Sequence, residues 1–124
     1  MNKQPVNMDL RTIRLPITAI VSIGHRLSGL LTFLMIPFLL QLLSCSLDSE
    51  ASYLHLASYM DSFVFKGVVW VAILGLGYHL IAGVRHLLMD LHIGEGRCSG
   101  KIGAWLVLLV FIVFAAGVSM KVWG

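Results

Sequence analysis

Residues 67–84 read GVVWVAILGLGYHLIAGV, a run without a single Lys, Arg, Asp or Glu. A bilayer core about 30 Å thick takes roughly 20 apolar residues in helix. Extended to its flanks, this run predicts a membrane-spanning helix over 63–89. The same reading outward gives two more. Leu27 to Leu43 is charge-free, with an apolar lead-in from Ile17 to Gly24 and His25 and Arg26 between, which predicts a helix over 20–44. Pro37 lies inside it, where neighbouring helices can satisfy the freed carbonyl, and a mild kink is expected. Ile102 to Met120 holds no ionisable group, and Ser119 is its only hydroxyl, which predicts a third helix over 102–122. The fold class is therefore all-α, one membrane domain of three transmembrane helices over residues 1–124.

Composition agrees. The chain is 58% hydrophobic and 12% charged, against about 25% charged in soluble domains. The net charge is +3, but the nine Lys and Arg form no stripe and no aromatic-interleaved patch, so the partner they suit is a lipid surface and not nucleic acid. The two cysteines, Cys45 and Cys98, are far apart and outside any CxxC spacing, so they indicate neither a disulfide framework nor an iron–sulfur ligand set. The first 19 residues carry Lys3, Asp9, Arg11 and Arg14 and lack an early apolar stretch, so the first helix is expected to be retained.

Seven of the nine Lys and Arg (Lys3, Arg11, Arg14, Arg26, Arg85, Arg97, Lys101) fall on the N-terminal side or near the second connection. Only Lys66 and Lys121 fall at the other side. The positive-inside rule then puts the N-terminus in the cytoplasm and the C-terminus outside. The first connection, residues 45–62, carries Asp48, Glu50 and Asp61 with no Lys or Arg, and reads as an outer loop. The second holds Gly94, Gly96 and Gly100 as turn formers. Trp70 and Trp123 fall toward the outer interface and Trp105 toward the inner one.

Two polar clusters interrupt the apolar pattern at the inner end. Ser22, His25, Arg26, Ser28 and Gly29 form the first. Ser22 and Arg26 share a helix face, and so do His25 and Gly29, each pair being four apart. His79, Gly83, Arg85, His86 and Asp90 form the second, with His79, Gly83, His86 and Asp90 in one helical stripe. Such a stripe is costly against lipid and should face another helix or a cofactor. His79 lies five residues inside the end of its apolar core, about 7 Å deep. An imidazole there needs a partner, either a hydrogen bond from a neighbouring helix or a metal. The small Gly83 one turn away leaves room beside it for a flat macrocycle. His79 and His86, roughly 10 Å apart along one helix, cannot be opposed ligands of one iron. The second ligand must come from another helix: His25, or a group on another chain. His25 is equally placed to meet heme propionates. His86 at the helix end suits a surface role or a bond to Asp90. Ser22 and Arg26 supply donors that suit a quinone arriving from the lipid, while Arg26 can equally snorkel to lipid phosphates.

Ser22-Ile23-Gly24-His25-Arg26-Leu27-Ser28-Gly29 fits the pattern SxxHRxSG, and His79 to Asp90 fits HxxxGxRHLxxD. With the entry segment Pro5-Val6-Asn7 through Arg14-Leu15-Pro16-Ile17-Thr18-Ala19-Ile20, these blocks make the chain resemble the cytochrome b membrane-anchor subunit (SdhC) of bacterial succinate dehydrogenase, or complex II. The chain departs from the family pattern at Gln4, where Arg is common. It departs again after Asp90, where Leu91 and His92 precede Ile93 and Gly94. The resemblance implies a heme b with His79 as one axial ligand and the other from the partner anchor subunit, SdhD, in a heterodimeric anchor bundle. It implies that Ser22 and Arg26 line a ubiquinone site against the iron–sulfur subunit, SdhB. Arg26 would also touch a heme propionate, and His25 would lie near the propionates. Succinate oxidation would belong to the flavoprotein, SdhA, and the chain to electron transport and the tricarboxylic acid cycle in the cell inner membrane. Three other readings remain. A fumarate reductase anchor differs in cofactor potentials and quinone, which these residues do not set. A cofactor-free structural subunit would show no heme spectrum. A transporter would need a polar path reaching both sides, whereas the ionisable groups cluster at one end.

Overall fold

A computed structural model describes Asp9, Arg11 and residues 13–124 of the chain. The likeness at Pro5–Asn7, the departure at Gln4 and the charge on Lys3 lie outside the described residues. Four α-helices follow in order: α1 (Ile17–Asp48), α2 (Glu50–Ser58), α3 (Phe63–Asp90) and α4 (Arg97–Trp123), with a 3₁₀ turn at Tyr59–Asp61. Of these, α1, α3 and α4 are long and apolar enough to cross a membrane. At 1.5 Å per residue they run about 40–48 Å, so each outlasts the hydrocarbon core. That explains the boundaries. The apolar runs mark the lipid-buried parts, and α1 and α4 continue through polar residues beyond them, α4 starting at Arg97 and not at Ile102. α1 begins where Pro16, with extended backbone, offers its carbonyl to the N–H groups of Ala19 and Ile20, and it runs on through Pro37.

The expected outer loop contains α2. Ser49 starts it, its side chain accepting the Ser52 N–H at 3.1 Å, a serine N-cap. Ser62 caps α3 in the same way, accepting from Phe65. At the other end of α3 the turn is not made first by glycine. His92 takes the left-handed conformation at φ 61°, the Ile93 N–H reaches the Leu88 carbonyl and the His92 N–H reaches that of Met89, each at 2.9 Å. This is a Schellman closure with histidine where glycine is usual. The His92 Nδ1–H donates to the Glu95 carboxylate at 2.7 Å and holds the turn.

α3 packs against both α1 and α4. The buried centre is small: Val21, Ala82, Ala104 and Val107, with Ile17, Tyr78, Ile81 and Leu108 against them. Small residues let backbones approach where no hydrophobic force separates helix from lipid. Gly75 faces Leu31, and Gly77 faces the Phe114 ring so closely that no Cβ would fit. Most large apolar side chains point outward, Phe33 at 68% and Ile112 at 63% exposure, as faces that meet lipid do. At one end Trp70 Nε1–H donates to Ser119 Oγ at 3.0 Å and meets Trp123 edge-on. The other end, where α1 and α4 start and α3 stops, holds His25, His79, His86 and His92, while His55 lies in α2.

Tyr78 ties α3 to α1. Its hydroxyl donates to the Val21 carbonyl at 3.1 Å, and Gly24 makes the room, since a Cβ there would lie 2.5 Å from the phenol oxygen. Tyr78→Phe should cost about 0.5–1.5 kcal/mol of stability, read as a lowered denaturation midpoint of the assembled complex. An unchanged midpoint would show that this bond contributes nothing net.

Candidate functional site

His25 and Gly29 lie one turn apart on α1, and His79 and Gly83 lie one turn apart on the antiparallel α3. The two pairs interlock. A Cβ on Gly29 would sit 2.9 Å from His79 Cε1, and one on Gly83 would sit 3.3 Å from His25 Nε2. Each imidazole is therefore seated over the glycine of the opposite helix. The two rings stack at 4.4 Å between centroids, 5° from parallel. The room expected beside Gly83 is accordingly taken by the His25 ring, and the open glycine at His79 is Gly29 on the facing helix.

The hydrogen bonds at His79 fix its tautomer. Nδ1 lies 3.2 Å from the His25 carbonyl oxygen, which can only accept, so Nδ1 carries the proton. Ser28 Oγ donates to the same carbonyl at 2.8 Å and lies 3.4 Å from Nδ1, a weaker second acceptor. Nε2 is left with its lone pair and no hydrogen-bond partner among the described residues. An imidazole whose Nδ1–H is held by a carbonyl and whose Nε2 is free has the form of a metal-ligating histidine. The arrangement thus fits a metal-ligating role for His79.

His25 does not complete such a site. Two imidazoles that hold one metal ion between them must point their nitrogens at each other. Rings lying face to face, as these do, direct their nitrogens side by side. Among the described residues no group of three or more His, Cys, Asp or Glu is placed to hold a metal ion.

His86 does not bond Asp90 and is not at the surface. It is half-buried, its ring 4.7 Å from that of His25, and its Nε2 is buried without a partner among the described residues. Arg26, Arg85 and Asp90 are all within electrostatic reach of it. Ser22 is half-buried and Arg26 exposed on the same flank of α1, so the donors expected there are accessible. Cys45 and Cys98 are both free thiols. Tyr78 escaped the sequence reading, for nothing in an apolar run marks a tyrosine that bonds a backbone carbonyl. The part of Ser28 was also missed, although it stands in the first polar cluster.

Three crossing-length helices with a histidine pair interlocked at one end define a class: a small helical membrane protein. Residues 1–118 match the family model described as succinate dehydrogenase/fumarate reductase transmembrane subunit. The chain belongs to that family, and its part is that of the membrane anchor, the dicarboxylate chemistry falling to other subunits. It is 37% identical over 122 residues to the succinate dehydrogenase cytochrome b556 subunit of Coxiella burnetii, covering 98% of each chain. It is 33% identical over 92 residues to the cytochrome b560 subunit of Reclinomonas americana, covering 70% of this chain and 64% of that one. It is 29% identical over 126 residues to the cytochrome b556 subunit of Paracoccus denitrificans, covering 90% of this chain and 94% of that one.

Proposed function

We propose that this chain is the heme b-carrying anchor of a succinate:ubiquinone oxidoreductase. His79 would hold the heme iron through Nε2, together with a group supplied by the second anchor subunit, SdhD. The observation that carries this reading is the His79 Nδ1–H held by the His25 carbonyl at 3.2 Å, which leaves Nε2 free. The relatives' names, cytochrome b556 and b560 subunits, support it. The face-to-face stacking of His25 on His79 supports a donor from outside the chain. When bound, heme b supplies a one-electron carrier inside hydrocarbon.

The chain's own residues do the rest. Ser28 and the His25 carbonyl keep the proton on Nδ1. Gly29 lets the His79 ring lie against α1, and the His25 ring fixes its plane. Arg26, exposed beside the histidines, would hold a propionate and donate to a quinone oxygen. Ser22, one turn earlier on the same face, donates to the same headgroup. Donors aimed where negative charge develops on a quinone oxygen speed its reduction. The soluble flavoprotein and iron–sulfur subunits, SdhA and SdhB, dock at this end, which the excess of Lys and Arg assigns to the cytoplasmic face of a bacterial inner membrane. A fumarate reductase anchor is the neighbouring reading, since the family model spans both enzymes; the relatives named here are succinate dehydrogenase subunits.

The test is the reduced-minus-oxidised spectrum of the purified complex. A low-spin b-type band is expected, and a complex without heme would overturn the reading. The quinone site has its own test. Arg26→Ala should lower quinone reductase activity about ten- to hundredfold, the value of a charged hydrogen bond, and Ser22→Ala severalfold. Dye reduction by the soluble subunits should survive in both. Equal loss of the two activities in an assembled complex would remove Ser22 and Arg26 from the quinone site.

A further inference from the structure

On the far side of α3 from the histidine stack, a cavity of about 360 Å³ lies between α3, α4 and the connection joining them. That is within the size range of small-molecule sites. Its wall is aliphatic, with Ile81, Leu88, Ile93, Leu106 and Val110 along it, and Arg85 is its one charged side chain. Ser22, His25, Arg26 and His79 take no part in it.

Arg85 is 8% exposed. One Nη2–H donates to the Gly100 carbonyl at 3.2 Å, and Nε is buried with no partner among the described residues. A guanidinium has five N–H donors, so most of its capacity is unspent. No carboxylate pairs with it among the described residues: Asp90 is exposed a turn further on, and Glu95 is held by His92 at 2.7 Å. Gly103, also in the cavity wall, exposes the guanidinium to it, since a Cβ there would stand 3.4 Å from Nε. A buried cation lining an apolar cavity at the end of a membrane span calls for an anion. The anion must carry an apolar body to cover the wall. From Ser99 to Val110 the wall runs about 16 Å along α4, and Leu106 and Val110, both half-exposed, open it sideways to the bilayer. Arg97 and Lys101 add positive charge at the same end.

We propose that this cavity binds one anionic phospholipid, its phosphate on Arg85 and one acyl chain along the α3–α4 wall toward Val110. Basic pockets between transmembrane helices hold anionic lipid headgroups in this way. The proposal is independent of whether His79 carries iron.

The test uses the purified complex and a phosphatidylglycerol with a photoreactive group in one acyl chain. Labelling should fall on residues 102–110. Unlabelled phosphatidylglycerol should compete, phosphatidylcholine at least tenfold less well, and inorganic phosphate not at all. Arg85→Gln should weaken labelling about tenfold, and Gly103→Leu, which fills the cavity against the guanidinium and leaves the charge in place, should abolish it. Should either variant fail to assemble, the competition on the unaltered complex decides alone. Equal competition by phosphatidylcholine, displacement by inorganic phosphate, or labelling confined to other segments would each overturn the proposal.

Discussion

His79→Ala is expected to abolish the low-spin heme band and to lower heme content at least tenfold in the assembled complex. The magnitude follows from what the substitution removes. It takes away Nε2, and no other imidazole of this chain can replace it. His86 is two turns along the same helix, and His25 lies with its face, not its nitrogens, toward the vacated place. His25→Ala should behave differently. It deletes a ring that stacks on His79 but leaves the backbone carbonyl that holds the Nδ1 proton. The low-spin spectrum should persist, with weaker retention on dilution. The contrast between the two variants separates ligation from mere packing, for both remove one half of the same stack. His79→Gly adds a control for misfolding: free imidazole, added to the complex, should restore the low-spin band. An unchanged low-spin spectrum in His79→Ala would place iron ligation elsewhere and leave His79 a structural hydrogen-bonding residue.

Much of this was legible in the sequence, for a physical reason that also marks its limit. The charge-free run from Gly67 to Val84 has to be a spanning helix, because lipid leaves its backbone no other partner. α3 accordingly runs Phe63–Asp90, within one residue of expectation. The ends of α1 and α4 were drawn short, since hydropathy records where lipid stops and not where helix stops. α2 was missed because nine residues of mixed polarity, EASYLHLAS, have no strong period. The histidines were found by their cost in hydrocarbon. Their arrangement was hidden, because spacing along one helix says nothing about what faces it across the interface. His25-xxx-Gly29 and His79-xxx-Gly83 carry the same interval, and only antiparallel packing turns that into two rings seated on two glycines. The Arg85 cavity was illegible for the same reason: it needs α4 and Gly103 to close it.

That interlock makes Gly29 the most sensitive glycine of the pair, and Gly29→Leu should lose heme nearly as completely as His79→Ala. A Cβ at position 29 would lie 2.9 Å from His79 Cε1 and 3.2 Å from Nδ1, closer than packed atoms allow. The ring can yield only by swinging out, and it then gives up the His25 carbonyl at 3.2 Å that orients Nε2. Overpacking of this kind costs about 1–3 kcal/mol in general, but here the strain is spent on the one torsion that aims the ligand. Gly29→Ala should therefore keep some heme with an altered ligand-field signature in electron paramagnetic resonance. Gly83→Ala, whose Cβ would stand 3.3 Å from His25 Nε2, presses on a ring to which the proposal gives no iron-ligating role, and should leave the spectrum near normal. Gly67 has nothing within 4 Å, so Gly67→Leu should be silent in the spectrum, and the added helix propensity makes it neutral or slightly stabilising. The ordering Gly29, then Gly83, then Gly67 is what distinguishes clearance for a ligand from a general need for small residues between membrane helices. Equal heme content in Gly29→Leu and Gly67→Leu complexes would mean that His79 is not held against α1 when iron is bound.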